Sequence, residues 1–220
     1  MFEGFSPETA SFLWELKFNN ERPWFLEHKG EFEKYVNTPF KALAQDTFVL
    51  VEEKYPRLDG RLHVSRIYRD ARRLFGRGPY KDHMWFSIKK DASLMEGPAL
   101  WFEIGAADYG CGFGFYCASP AQMAAFRAAV DANPAEFEAL ARRVERYRDF
   151  RITGEEYKRS KGDRGELINR WYNRKHVGVE IRRDFGEELY SPELPEKLLK
   201  VFEKLMPVYE YFLRFSGGAE

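Results

Sequence analysis

The stretch 99-ALWFEIGAADYGCGFGFYC-117 decides the fold, because two runs with the two-residue period of a half-buried strand flank a short turn within it. The turn residues around Asp108 and Gly110 leave no room for a crossover helix, so the chain must return antiparallel. We therefore expect two antiparallel strands, at 99–105 and 111–117.

Two further runs, 62-LHVSRIY-68 and 84-MWFSIKK-90, show the same alternation of apolar and polar residues. Glycine–proline pairs at 78–79 and 97–98 supply turn signals between the runs. Short connections favour an antiparallel meander, so the sequence predicts strands throughout 60–118.

The apolar side chains among the first 55 residues recur with helical spacing. Ser6 and Pro7 form a good helix start, with a capping hydroxyl followed by proline at the first helical position. We expect a helical block over 1–55, in which Pro39 breaks the second helix and a third helix runs to about Lys54.

Residues 119–220 are predicted to be mainly helical. The serine–proline pair at 119–120 and Pro195 each open a helix. The basic region 148–176 is expected to be largely irregular, and 177–183 is a possible late strand.

These patterns predict one α+β domain over 1–220. We expect an antiparallel sheet of about four to six strands, covered by helices from the N-terminal and C-terminal parts of the chain. Glycines at 110, 112 and 114 fall on one face of the fourth strand, where missing side chains let a helix or a ligand come close. Helix packing is the more common cause.

The cysteines and histidines point to neither a disulfide nor a metal site. On one strand, Cys111 and Cys117 lie roughly 20 Å apart at about 3.3 Å per residue, which is beyond the reach of a disulfide. We expect two reduced thiols in or near the core. The four histidines show no metal-ligand spacing, so we expect no metal.

Composition narrows the possible environments. Aromatic residues make up 17% of the chain, which is enough for a sizeable core. No apolar run approaches the roughly 18–20 residues that span a bilayer, and the first residues lack the order of a signal peptide, so we expect a cytoplasmic protein with no membrane partner. Glycine-rich loops of the P-loop or dinucleotide type are absent, so we expect no cofactor.

The charge is unevenly distributed although the formal net charge is zero. Segment 61–81 holds seven basic residues and one acid, and segment 142–183 holds fourteen basic residues and seven acids. If the two segments meet in space, they form a positive cleft suited to phosphate or carboxylate groups. The alternative is that these arginines pair with acids of the neighbouring helices.

The first basic segment supplies most of the candidate site. An anion would be held by the basic side chains of Arg66, Arg69, Arg72 and Lys81. Asp70, flanked by arginines, is expected to stay ionised and to orient them, or else to form a structural salt bridge. Tyr80 is expected to contact the ligand.

The run 66-RIYRDARRLFGRGPYK-81 resembles the signature R-x-x-R-D-x-R-F-x-x-x-K-x-P-Y-K of a bacterial family known as domain of unknown function 2461. The matching residues are Arg66, Arg69, Asp70, Arg72, Pro79, Tyr80 and Lys81. Arg73 stands where the family has Phe, and Arg77 where it has Lys, so the packing of the loop is in question at position 73.

The N-terminal helices, including Asn19-Asn20, and the stretch Tyr157-Lys158-Arg159 are also similar to the family. That similarity adds Lys158 and Arg159 to the candidate ligand-binding residues. The resemblance implies a bacterial or fungal protein of about this length, and it implies no activity.

Three functions stay open, and no catalytic residue is assigned. In the first, the chain binds or processes a phosphorylated or otherwise anionic small molecule. Alternatively, both basic segments follow a nucleic acid, although the zinc-finger and RNA-binding motifs are absent and the sequence pI is near 6.9. In the third, the arginines are internal salt bridges of a structural or protein-interaction domain.

Overall fold

The computed structural model describes residues 1–70, 72, 74, 76–90 and 97–216. It confirms the predicted α+β fold of a single domain with an open antiparallel sheet. The strands follow the order β1-β2-β3-β4-β6-β5, so the last strand along the chain lies between β4 and β5. Their bounds are β1 Arg61–Val64, β2 Met84–Lys89, β3 Ala99–Ile104, β4 Asp108–Phe115, β5 Arg151–Thr153 and β6 Val177–Asp184.

Helices precede and follow the strands, as expected. The N-terminal helices are α1 Pro7–Phe18, α2 Arg22–Glu27, α3 Lys29–Glu31, a π-helix Phe32–Asn37, α4 Thr38–Lys54 and a 3-10 turn Pro56–Leu58. The later helices are α5 Pro120–Ala132, α6 Pro134–Glu145, α7 Glu166–Tyr172, α8 Glu187–Tyr190 and α9 Leu194–Leu213.

The predicted break at Pro39 is wrong, because the π-helix runs directly into α4. A proline inside a helix removes one backbone donor and is tolerated where another donor serves the open carbonyl. Four residues earlier, the carbonyl of Tyr35 has no donor from Pro39 and instead accepts a hydrogen bond from Thr9 Oγ1 at 2.7 Å. A side chain from α1 thus satisfies the carbonyl that the proline leaves open.

Two strand predictions need correction. The run 62–68 forms a strand only over Arg61–Val64, and beyond it Tyr68 makes an isolated antiparallel bridge with Tyr80. Within 148–176, which was expected to be largely irregular, β5 pairs with β6 in an antiparallel register. Three residues are too few for a period of two to be visible in the sequence.

The prediction that β3 and β4 are half-buried strands is also wrong. In β3 only Glu103 is not fully buried, and in β4 only Asp108 is not. Both strands lie in the middle of the sheet order. In β4 the second face carries glycines, which leave no side chain to expose.

At Gly112 and Gly114 of β4, a strand and a tyrosine ring rather than a helix make the close approach. A Cβ at Gly112 would lie 2.1 Å from the carbonyl oxygen of Val179 on the neighbouring strand β6. A Cβ at Gly114 would lie 2.0 Å from the ring of Tyr116. The close approach comes from the next strand and from a tyrosine ring, so the expectation of helix packing is corrected.

Contacts divide the chain into two compact units. The first comprises 1–88, 102–110 and 182–200, and the second comprises 89–101, 111–181 and 201–220. In the first unit, the ring of Phe40 packs against Phe86 and Phe102 at centroid distances of 5.9 and 6.1 Å.

The core of the second unit centres on Phe212 of α9. Its ring packs 4.9 Å from Phe126 of α5 and 5.4 Å from Phe113 of β4. Cys111 is buried as expected, whereas Cys117 is exposed just beyond β4, and neither forms a disulfide.

Candidate functional site

Residues 66–81, hereafter the motif loop, lie in the first unit. The described residues at the two ends of the motif loop form the two arms of a hairpin. The N–H of Arg69 donates to the Pro79 carbonyl at 2.8 Å, and the N–H of Lys81 donates to the Ile67 carbonyl at 2.7 Å. Around the Tyr68–Tyr80 bridge the two arms therefore continue the antiparallel pairing beyond β1 and β2. The questioned position 73 lies outside the described residues.

Asn20, between α1 and α2, fixes one arm of the motif loop. Its Oδ1 accepts from the Tyr80 N–H and its Nδ2 donates to the Tyr80 carbonyl, both at 2.9 Å. A Cβ at Gly78 would lie 2.5 Å from the Asn20 carbonyl oxygen, so the loop passes close to this residue. Sequence analysis missed this role. The signal available was the Asn19-Asn20 pair, but its partner lies 60 residues away.

Arg69 is used inside the fold. Its Nε donates to the Tyr80 carbonyl at 2.7 Å, its Nη2 lies 3.6 Å from Asp82 Oδ1, and its side chain is only 16% exposed. Burial raises the pKa of Asp82, but hydrogen bonds and the charges of His83 and Arg69 outweigh it and hold the pKa below its ordinary value. Asp82 thus remains ionised as a partner for Arg69.

The side chain of Tyr80 is buried. Its side chain is 2% exposed and stacks on Phe25 at a centroid distance of 4.0 Å. Burial raises the pKa of its hydroxyl. What Tyr80 offers its surroundings is chiefly its backbone, which Asn20 and Arg69 both hold.

The carboxylate of Asp70 accepts two parallel hydrogen bonds from the guanidinium of Arg72, an arrangement hereafter called the side-on fork. Arg72 Nε donates to Asp70 Oδ1 at 3.0 Å and Arg72 Nη2 donates to Asp70 Oδ2 at 2.8 Å, while the Arg72 N–H also donates to Oδ1 at 3.0 Å. This hydrogen bonding raises the pKa of the Arg72 guanidinium. The Arg72 side chain is 87% exposed, so its orientation is fixed by the carboxylate while its outer edge faces water.

The first arm of the motif loop alternates in exposure. Ser65 and Ile67 are buried, whereas Arg66, Tyr68 and Asp70 are exposed. One face of the arm therefore carries a cation, an aromatic ring and the carboxylate that holds Arg72. Tyr68 was not among the predicted site residues, although the two-residue alternation places it on the same face as Arg66 and Asp70.

Lys81 closes the base of the loop. Its Nζ donates to the Arg66 carbonyl at 2.5 Å. Burial lowers the pKa of its ammonium, and the charge of Arg69 lowers it further. Of the predicted basic residues, Arg69 and Lys81 hold the loop together, and Arg66 and Arg72 extend from it.

Many cations of the second basic segment have carboxylate partners in the second unit. Arg164 Nε lies 2.7 Å from Asp131 Oδ1, and Arg170 contacts both Glu145 and Glu166 at 3.2 and 2.6 Å. Arg174 lies 3.0 Å from Glu156 and is only 14% exposed. For these residues the alternative of pairing with acids describes the observed contacts.

Lys158 and Arg159 are exposed, and the described part of the chain offers their side chains no polar partner. They follow Tyr157, whose ring lies under two cations, Arg127 at 5.5 Å and Lys161 at 4.4 Å. The candidate residues thus fall in both units, and the predicted cleft shared by the two basic segments stays a prediction.

The described residues show neither a metal-binding cluster nor a membrane-spanning helix. No group of three or more histidine, cysteine or acidic side chains there is arranged to hold a metal ion. No helix in that part of the chain is long and apolar enough to cross a membrane.

One family model matches this chain over residues 8–211, which covers the motif loop and both units. Its description reads "Conserved hypothetical protein (DUF2461)". None of the curated proteins matches the chain. The match therefore gives a family and leaves the chemistry to be argued from the residues.

Proposed function

Because the chain belongs to the DUF2461 family of conserved hypothetical proteins, whose description names no activity, we propose a function from the motif loop. The protein binds a phosphorylated or carboxylated small molecule through Arg72 and Arg66. The observation that carries this proposal is the side-on fork in which Asp70 holds the exposed guanidinium of Arg72.

The fork leaves the right donors for an oxyanion. A guanidinium has five N–H donors, and Asp70 takes one from Nε and one from Nη2. The remaining Nη2 hydrogen and the Nη1 hydrogen beside it form the end-on edge, whose spacing matches a carboxylate or phosphate. Fixing the side chain beforehand lowers the ordering cost of binding.

The neighbouring side chains support the same ligand class. Arg66 lies on the exposed face of the same arm, and the described residues provide no acceptor for its guanidinium. Tyr68 lies between Arg66 and Asp70 on that face and is about half exposed, so a planar part of a ligand can stack on it. Arg69 and Lys81 act beneath, by holding the two arms together.

A thermal-shift screen with inorganic phosphate, sugar phosphates, nucleotides and a short oligonucleotide tests the proposal. A ligand at a hundred times its Kd stabilises the fold by roughly 2.7 kcal/mol, which such a screen detects. We expect Arg72→Lys to weaken the shift because the fork is lost while the charge remains. Asp70→Asn should weaken it too, because the amide no longer holds the guanidinium.

Arg142→Lys is the matched control. Arg142 is also exposed and also grips a carboxylate, Glu138, through Nε and Nη2, but it lies on α6. It should keep the wild-type shift. A fall in melting temperature for Arg72→Lys without ligand, together with no shift for any compound, would assign Arg72 a structural role. A shift with the oligonucleotide alone, steeply dependent on salt, would favour the nucleic-acid alternative.

A further inference from the structure

The second unit contains a groove that is separate from the motif loop. It lies between α6 and α9 and has a volume of about 550 Å³. Pockets that bind small molecules usually measure about 300–1,000 Å³. Leu140 and Pro207 give the groove an apolar wall, and Arg143 and Arg146 line it near the C-terminal end of α6.

Tyr211 is one of the residues that line the groove, and it carries a buried hydroxyl. Tyr211 is 4% exposed, and its ring packs 5.3 Å from Phe137. Its oxygen is buried, and the described residues offer it no hydrogen-bond partner. Burial raises the pKa of this hydroxyl to about 12, so it is protonated at neutral pH and able to donate. Leaving such a group unpaired costs free energy, which a ligand oxygen would recover.

Two of the three lining arginines are also available. Arg214 is engaged, because its Nη1 lies 2.7 Å from Glu136 Oε1 and its guanidinium lies over the Tyr211 ring. Arg143 and Arg146 are exposed, and no carboxylate of the described chain pairs with them. Cations also stabilise the C-terminal end of a helix, which explains their position without a ligand. That explanation leaves the buried hydroxyl of Tyr211 unaccounted for.

The lining charges select the ligand. Three arginines, Arg143, Arg146 and Arg214, and two glutamates, Glu136 and Glu210, line the groove and give it a net charge of +1. A single positive charge suits a monoanion better than a doubly charged phosphate. We propose that this groove binds a small carboxylate with an apolar body, whose carboxylate accepts from Tyr211 Oη and from Arg143 or Arg146. The apolar body lies along Leu140 and Pro207.

Calorimetric titration of the full chain with octanoate tests this site, with 1-octanol as the neutral counterpart of equal chain length. We expect saturable binding of octanoate and at least about tenfold weaker binding of octanol, since octanol lacks the charge. Tyr211→Phe should weaken octanoate about tenfold without lowering the melting temperature, because it removes only an unpaired oxygen. The double variant Arg143→Gln/Arg146→Gln should weaken it at least as much.

Arg142→Gln is the control, because Arg142 lies in the same turn of α6 but pairs with Glu138 and does not line the groove. It should keep the wild-type affinity. No saturable octanoate binding at about 1 mM overturns the proposal. So does octanol binding as tightly as octanoate, or wild-type affinity in either groove variant. A lower melting temperature for Tyr211→Phe also overturns it, because it reveals an internal partner for the hydroxyl. None of these outcomes depends on Arg72.

Discussion

At the scale of single residues, the most specific prediction concerns the contribution of Asn20 to stability. It satisfies both backbone groups of Tyr80, and Arg69 shares only the carbonyl, so Asn20→Ala leaves the Tyr80 N–H unpaired. We expect a loss of about 1–3 kcal/mol in the free energy of unfolding, measured by urea denaturation.

Asn19→Ala is the matched control for this prediction. The Asn19 side chain makes one exposed hydrogen bond to the Glu15 carbonyl, so the change should cost no more than about 0.5 kcal/mol. Equal losses in the two variants would show that the pairing of Asn20 with Tyr80 contributes no stability of its own.

The residues of the candidate site differ in how far sequence reveals them. A dense run of arginines around Asp70 is visible in the sequence, and Asp70 does hold one guanidinium. The division of labour between Arg69 and Arg72 is not visible, because Arg69 depends on Asp82 and Tyr80 across the hairpin. Side-chain direction at such a turn follows from tertiary contacts rather than from spacing.

At the scale of elements, β4 depends on a glycine that only its neighbour explains. A Cβ at Gly112 would meet backbone of β6, which cannot move aside as the end of a side chain can. We expect Gly112→Ala to destabilise the fold by at least about 1–3 kcal/mol, with the loss read from thermal or urea unfolding.

Gly30→Ala provides the comparison. Gly30 lies in α3, and a Cβ there would meet nothing within 4 Å, so alanine should be neutral or stabilising by up to about 1 kcal/mol. If Gly112→Ala is tolerated as well as Gly30→Ala, the packing of β4 against β6 is looser than these distances state.

Elements were predictable where their signals are local. The strands β2 and β3 begin at the predicted residues and end one residue early, because alternation and adjacent turn residues define them. The three residues of β5 have no such pattern and exist through pairing with β6. The π-helix likewise depends on Thr9, 26 residues from the carbonyl that it satisfies.

At the scale of the whole molecule, the uneven charge is the main feature left open. The net charge is zero, yet segment 61–81 lies in the first unit and all but the last two residues of segment 142–183 lie in the second. Because segments of like charge repel, we expect them to share a ligand if they meet. Arg72→Gln, Arg159→Gln and the double variant then form a cycle, measured by the affinity for the best compound of the thermal-shift screen.

If both side chains contact one anion, the loss in the double variant should differ from the product of the single losses by more than about twofold. Purely multiplicative losses, or no loss with Arg159→Gln, would confine the site to the motif loop. Tyr157→Phe serves as a neutral comparison in the second unit, since it keeps the ring under Arg127 and Lys161.

We also expect the amide of Asn20 to block strand pairing between copies of the chain. Tyr80 directs its N–H and carbonyl away from the opposite arm, as a residue at the open edge of a sheet does. Such an edge is a template on which a second chain can add a strand. A side chain, rather than a strand, pairs with the backbone of Tyr80. The backbone pairing on this side of the arm therefore does not extend beyond Tyr80. We therefore expect the hairpin to resist edge-to-edge aggregation while its exposed arginines remain accessible.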